Sequence, residues 1–194
     1  MFRPTRDGGV SGRLSADEAQ LLRALVGPVL ELLTDGGPAP GGPAPEKADL
    51  NGEEAVFDEL ERMFSGDDSA PQLPEDPVLA RLLPDAYTGD PEAAGEFRKY
   101  TEASLREAKK YFVQTVLDTL PEKGGRFRLT GDQARDWMRA LNDVRLMFGV
   151  RLEVTEDFED QLAALDPQDP AIPAFEVYGW LGAVQESLVQ ALAR

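Results

Sequence analysis

Apolar residues recur at steps of three and four through most of this chain, the mark of amphipathic helices; alternation at a step of two occurs near the start and around 126–130. The longest helical run opens at Asp90. Its carboxylate can accept from the free amides of a first turn, and Pro91 stands where a missing N–H costs nothing. From there Ala94, Phe97, Thr101, Ser104, Leu105, Ala108, Phe112, Thr115, Val116 and Thr119 fall in one lengthwise stripe, which predicts a helix over 90–119 with that stripe facing the core. Arg98, Glu102 and Lys109 lie along its margin. At 1.5 Å per residue such a helix is about 45 Å long, so other helices are expected to pack along it.

The same reading places the remaining elements. Ser15 with Glu18 makes a capping box before a Leu-rich helix that runs to Leu33 and is bent, not ended, by Gly27-Pro28. The stretch GGPAPGGPAP within 35–48 predicts a flexible tether. Asn51 to Phe64 carries a helical apolar face, followed by a loose acidic loop at 65–76. Asp76-Pro77 starts a short helix that Pro84 stops, and Thr130 with Gln133 caps another whose buried face is Ala134, Trp137, Met138, Leu141, Val144 and Phe148. Arg145 falls in the middle of that face, Asn142 at its edge, and Asp143 on the opposite side. A helix capped by Thr155 and a final one buried through Val177, Tyr178, Leu181, Val184, Leu188 and Leu192 complete the chain, with Gln185 inside the last stripe. The expected architecture is therefore all-α: one helical domain over 1–194, about six helices packed around the long one at 90–119. At most a small β-hairpin or three-stranded sheet is added by the N-terminus and 126–130.

Composition narrows the chemistry. Among 194 residues there is no cysteine and no histidine, which removes thiolate and imidazole nucleophiles, the usual zinc ligands and the commonest general base. The net charge of −16 opposes binding to nucleic acid or to an anionic membrane and favours a partner with a basic surface. Eleven acidic residues between Glu46 and Asp76 face only Lys47 and Arg62, which makes that segment a solvated face or a docking surface. No window reaches the roughly 18 continuous apolar residues of a membrane span, and the start lacks the apolar run of a signal peptide, so a cytoplasmic location is expected.

Arg145 is the most informative single residue. A guanidinium in an apolar stripe needs a partner, and Glu102 on the long helix is the expected one. Arg98, Glu102, Asn142, Arg145 and Gln185 are read as one polar centre: either a network that sets the register of three helices, or the lining of a pocket for an anion or a peptide terminus. No residue is singled out as catalytic, no phosphate loop or calcium loop is present, and no metal site or cofactor is expected. The function read from the residues is that of a non-enzymatic regulatory or interaction protein. The alternative is a small-molecule or anion-binding protein, or a hydrolase, built on the pocket around Arg145. Self-association stays open.

Three blocks, RLLPDAYTGDPEAAGEFRKYTEASLREAKK from Arg81, WMRALNDVRLMFGVRL from Trp137 and VYGWLGAVQESLVQAL from Val177, resemble an uncharacterised actinobacterial family of helical proteins whose name records only a domain of unknown function. The likeness extends to the Leu-rich first helix and covers nearly all of the chain outside the GGPAPGGPAP loop and the acidic segment. It implies a gene neighbourhood beside the adaptor that delivers substrates to the Clp protease, and hence a role linked to regulated proteolysis with the Clp adaptor system as partner. It implies no catalytic residue.

Overall fold

The computed structural model describes residues 2–35, 74–87, 89–166 and 168–193. The Gly/Pro tether, the helix expected at 51–64 and nearly all of the acidic loop at 65–76 lie outside them. The described elements are β1 (Phe2–Pro4), β2 (Val10–Leu14), α1 (Ala16–Asp35), α2 (Pro77–Leu82), α3 (Pro91–Thr119), β3 (Gly125–Leu129), α4 (Gly131–Arg151), α5 (Phe158–Ala163) and α6 (Ile172–Leu192). The fold is mostly helical with a small three-stranded antiparallel sheet, in the order β1-β2-β3.

Capping places most helix starts where the sequence puts them; α5 is the exception, beginning at Phe158 without a side-chain cap and not from the expected Thr155. Asp90 Oδ1 accepts from the amides of Glu92 and Ala93, Asp76 Oδ1 from those of Val78 and Leu79, and Thr130 and Gln133 form a reciprocal capping box. Helix α1 runs through Pro28 without a break.

Helix α4 packs against α1, α2, α3 and α6. Its Trp137 is fully buried and joins three elements: the ring stacks on Phe127 at 5.3 Å, meets the edge of Phe2 at 5.8 Å, and donates from Nε1 to Thr119 Oγ1 at 2.7 Å. Burying a ring of this size contributes several kcal/mol, and the indole N–H finds its acceptor at the end of α3. The sheet closes one end of the helices. Phe2, Val10, Leu14 and Leu129 point into the core, and the Phe2 amide donates to Ser187 Oγ of α6 at 2.8 Å. The short α5 lies beside this core, with Phe158 stacked on Phe175 at 6.0 Å.

Candidate functional site

Ala94, Thr115 and Val116 of the stripe expected on α3 are buried, but between them the inward line sits one residue round from it. Phe97 and Leu105 are exposed, whereas the face against the protein runs Arg98, Glu102, Arg106, Lys109, Val113 and Val116. The reason lies in what the first half of α3 packs against, namely the C-terminal ends of α1 and α2. Helix ends present carbonyls without intrahelical partners, and arginine supplies the donors that an apolar side chain lacks.

Arg98 reaches the end of α2, its Nη2 donating to Leu83 O at 3.1 Å, and pairs with Asp85 at 2.5 Å. Arg106 reaches the end of α1, donating to Leu33 O at 3.2 Å. Glu102 stands one turn from each and accepts from both, from Arg98 Nη1 and from Arg106 Nη2 at 2.7 Å. Both guanidinium groups are buried. Burial pushes the Glu102 carboxyl up, but the bonds from Arg106 and Arg98 outweigh it and hold its pKa below the ordinary value. Burial likewise opposes the charge on Arg98, and Glu102 and Asp85 more than restore it. The void left beside this cluster is about 20 Å³, room for about one water molecule. The cluster is a three-helix clasp with no room for a substrate.

Arg145 belongs elsewhere. The expected Arg145–Glu102 pair does not form: Arg145 Nη1 donates to Gln185 Oε1 at 2.8 Å, and its guanidinium lies over the Tyr178 ring at 5.3 Å. Gln185 in turn donates to Met138 O, and Asn142 is exposed, outside the hydrogen-bond network among the described residues. The single polar centre read from the sequence is thus two: Arg98 and Glu102 in the clasp, and Arg145 with Gln185 on the other side of α4. The second is open. Arg145, Arg81, Asn142, Glu153 and Tyr178 line a cleft of about 370 Å³, and Arg145 Nε is buried without a partner among the described residues. Glu153 at its lip has φ 50°, an uncommon left-handed conformation for a residue other than glycine. Gln161 holds this turn, accepting from the Thr155 amide and donating to Glu153 O.

Asp143 is a further correction. Expected to point away from the core, it is buried and takes a bond from Lys109 Nζ at 2.6 Å. Burial raises its pKa, and Lys109 offsets only part of the rise. Sequence reasoning also missed Asp85 and the depth of Arg106. The i,i+4 spacing of Arg98, Glu102 and Arg106 was visible, but it reads the same for an exposed surface ladder.

A family model described as a domain of unknown function, DUF2017, matches residues 1–192. The chain is 36% identical over 188 residues to a protein of Mycobacterium leprae named putative oxidative stress regulator AosR, a match spanning 90% of this chain and 78% of the relative. It is 34% identical over 202 aligned positions to the oxidative stress regulator AosR of Mycobacterium tuberculosis, spanning 97% of this chain and 84% of that protein. No solved structure matches it. Among the described residues no helix is long and apolar enough to cross a membrane.

Proposed function

The chain belongs to the DUF2017 family, and from that premise we propose that it is a regulatory protein that acts by contact with another protein and not by catalysis. The relatives named as oxidative stress regulators support the regulatory part. The contact part rests on one observation, the outward face of α3. Tyr100 is 80% exposed and Tyr111 63%, with Phe97 half-exposed beside them. At 100° per residue these three lie within about 60° of one another around the helix. Aromatic side chains concentrate at protein interfaces because they bury large area at small entropic cost, and here they form a stripe on a rigid helix held from behind by the clasp. With no cysteine, any part this chain takes in an oxidative-stress response proceeds without thiol chemistry of its own.

The finer reading is that the partner belongs to the Clp adaptor system, which rests on the gene neighbourhood that the sequence resemblance implies. The test places a photo-crosslinking residue at Tyr100 or Tyr111, with the exposed position Glu31 of α1 as control, and identifies adducts formed in the native cell. A discrete protein adduct from the α3 positions alone supports contact through this face; no adduct there sinks it. Adding the purified chain to a Clp protease with its adaptor and a model substrate tests the finer part. An unchanged degradation rate excludes it.

A second reading is supported by the unpartnered Arg145 Nε in an open cleft with Arg81: a site for a small anion. Inorganic phosphate or sulfate should then raise the melting temperature of the wild type and not of Arg145→Met. Equal shifts in both would exclude it.

A further inference from the structure

The outer face of the sheet carries a charge opposite to that of the whole molecule. Strand alternation turns Val10, Gly12 and Leu14 inward, and the register Ser11↔Arg128 and Arg13↔Arg126 leaves those four residues, with Arg3 opposite Ser11, on the other side. Four of these five outward positions are arginine, in a chain of net charge −16. Arg3 and Arg126 make no ion pair among the described residues. Arg13 and Arg126 stand directly opposite each other, a juxtaposition of like charges that costs stability in a sheet. The face opens into a concavity of about 1160 Å³ whose side is the first turn of α1, at Ser15 and Ala16. Its lining includes one acid, Glu18, which accepts from the Ser15 amide, and Asp7 outside the lining feels the charge of Arg128.

The two edges of this sheet differ. β1 lies against α6, tied by the bond from Phe2 to Ser187, while β3 pairs only with β2 among the described residues. A free strand edge presents N–H and C=O groups in the register that another strand needs.

We propose that an extended acidic segment of a partner protein adds to the sheet as a fourth strand beside β3, setting alternate carboxylates against Arg126 and Arg128. This surface is distinct from the aromatic face of α3. The geometry matches because side chains on one face of an added strand repeat every second residue, about 7 Å apart, as the two arginines of β3 do. A protein segment fits better than a nucleic acid: the overall negative charge repels a long polyanion, and a phosphate backbone makes no use of the strand edge.

The test is fluorescence anisotropy with a labelled (Glu-Thr)4 peptide. Its controls are (Gln-Thr)4, a block-scrambled Glu4Thr4 peptide and an oligothymidylate of similar length. The proposal expects (Glu-Thr)4 to bind in a salt-dependent manner, at least about tenfold more weakly to Arg126→Glu/Arg128→Glu, with the milder Arg126→Gln/Arg128→Gln pair in between. It also expects the amides of 125–129 to gain protection from hydrogen exchange when the peptide is bound. An unchanged melting temperature shows that both variants are folded. Absence of peptide binding at low salt, binding insensitive to either variant, equal binding of the scrambled peptide without protection of β3, or tighter binding of the oligothymidylate would each overturn the proposal.

Discussion

Replacing Glu102 with glutamine removes the carboxylate that Arg98 and Arg106 share while keeping the shape of the side chain. The glutamine oxygen can still accept from one arginine, but its NH₂ group then faces the donors of the other. Arg98 retains Asp85 and Leu83 O, so its loss is partial. Arg106 is left with Leu33 O alone, and its Nε already lacks a partner. Breaking a buried pair by removing one member costs about 3–5 kcal/mol, and the partners left to Arg98 put this substitution near the lower figure. For a chain of this size about 3 kcal/mol corresponds to a fall of roughly 6–12 °C in melting temperature. Circular dichroism melts near neutral pH measure it directly. Because the folded-state pKa of Glu102 lies below its ordinary value, its stabilisation is fully present above the unfolded value of about 4.3 and is lost as pH falls through the folded one. The gap between wild type and Glu102→Gln should therefore close in acid. Melts that coincide near neutral pH, or a gap that persists undiminished into acid, would refute the clasp.

Other outcomes follow from the same contacts. Arg145→Met should cost only about 1 kcal/mol, because the side chain is part-exposed and its lost partner is the neutral Gln185; a loss of 3 kcal/mol or more in urea unfolding would restore a buried-charge role. Lys109→Met leaves Asp143 buried and unpaired, so it should destabilise strongly near neutral pH and much less in acid. The raised pKa of Asp143 means that protonating it favours the fold, and the penalty appears as pH rises through the folded value. Equal losses at both pH values would contradict this. Gly124→Ala should destabilise by at least about 1 kcal/mol, since Gly124 has φ 68° and an added Cβ would sit 2.5 Å from Ser15 C and O. The same variant should weaken the acidic peptide's binding, because that turn sets β3 beside α1; an unaltered melt and affinity would show the contact to be dispensable.

The helical fold was legible because its signals are local. Asp90-Pro91, Asp76-Pro77 and Thr130 with Gln133 mark helix starts through bonds that span two or three residues, and the structure makes each of those bonds. The sheet, too, was visible as alternation at the N-terminus and at 126–130. The candidate site was harder to read. Glu102 has two arginines at helical spacing, and which of the side chains on α3 turn inward depends on neighbours far along the chain: Leu33, 73 residues before Arg106, and Leu83, 15 before Arg98. Arg145 was read as needing a partner, but a stripe pattern gives no direction across to another helix, and Tyr178 and Gln185 of α6 took the place assigned to Glu102.

By itself, then, the amino-acid sequence determined where the capped helices begin, that the chain lacks thiol and imidazole chemistry, and that its charge is strongly negative. Periodicity, capping and composition are properties of neighbouring residues and need no fold to express them. Only the tertiary structure decided that the polar half of α3 faces inward, since the carbonyl ends of α1 and α2 lie there and demand donors. It also decided that four arginines scattered from position 3 to position 128 form one basic face, because strand pairing, not chain proximity, sets them side by side.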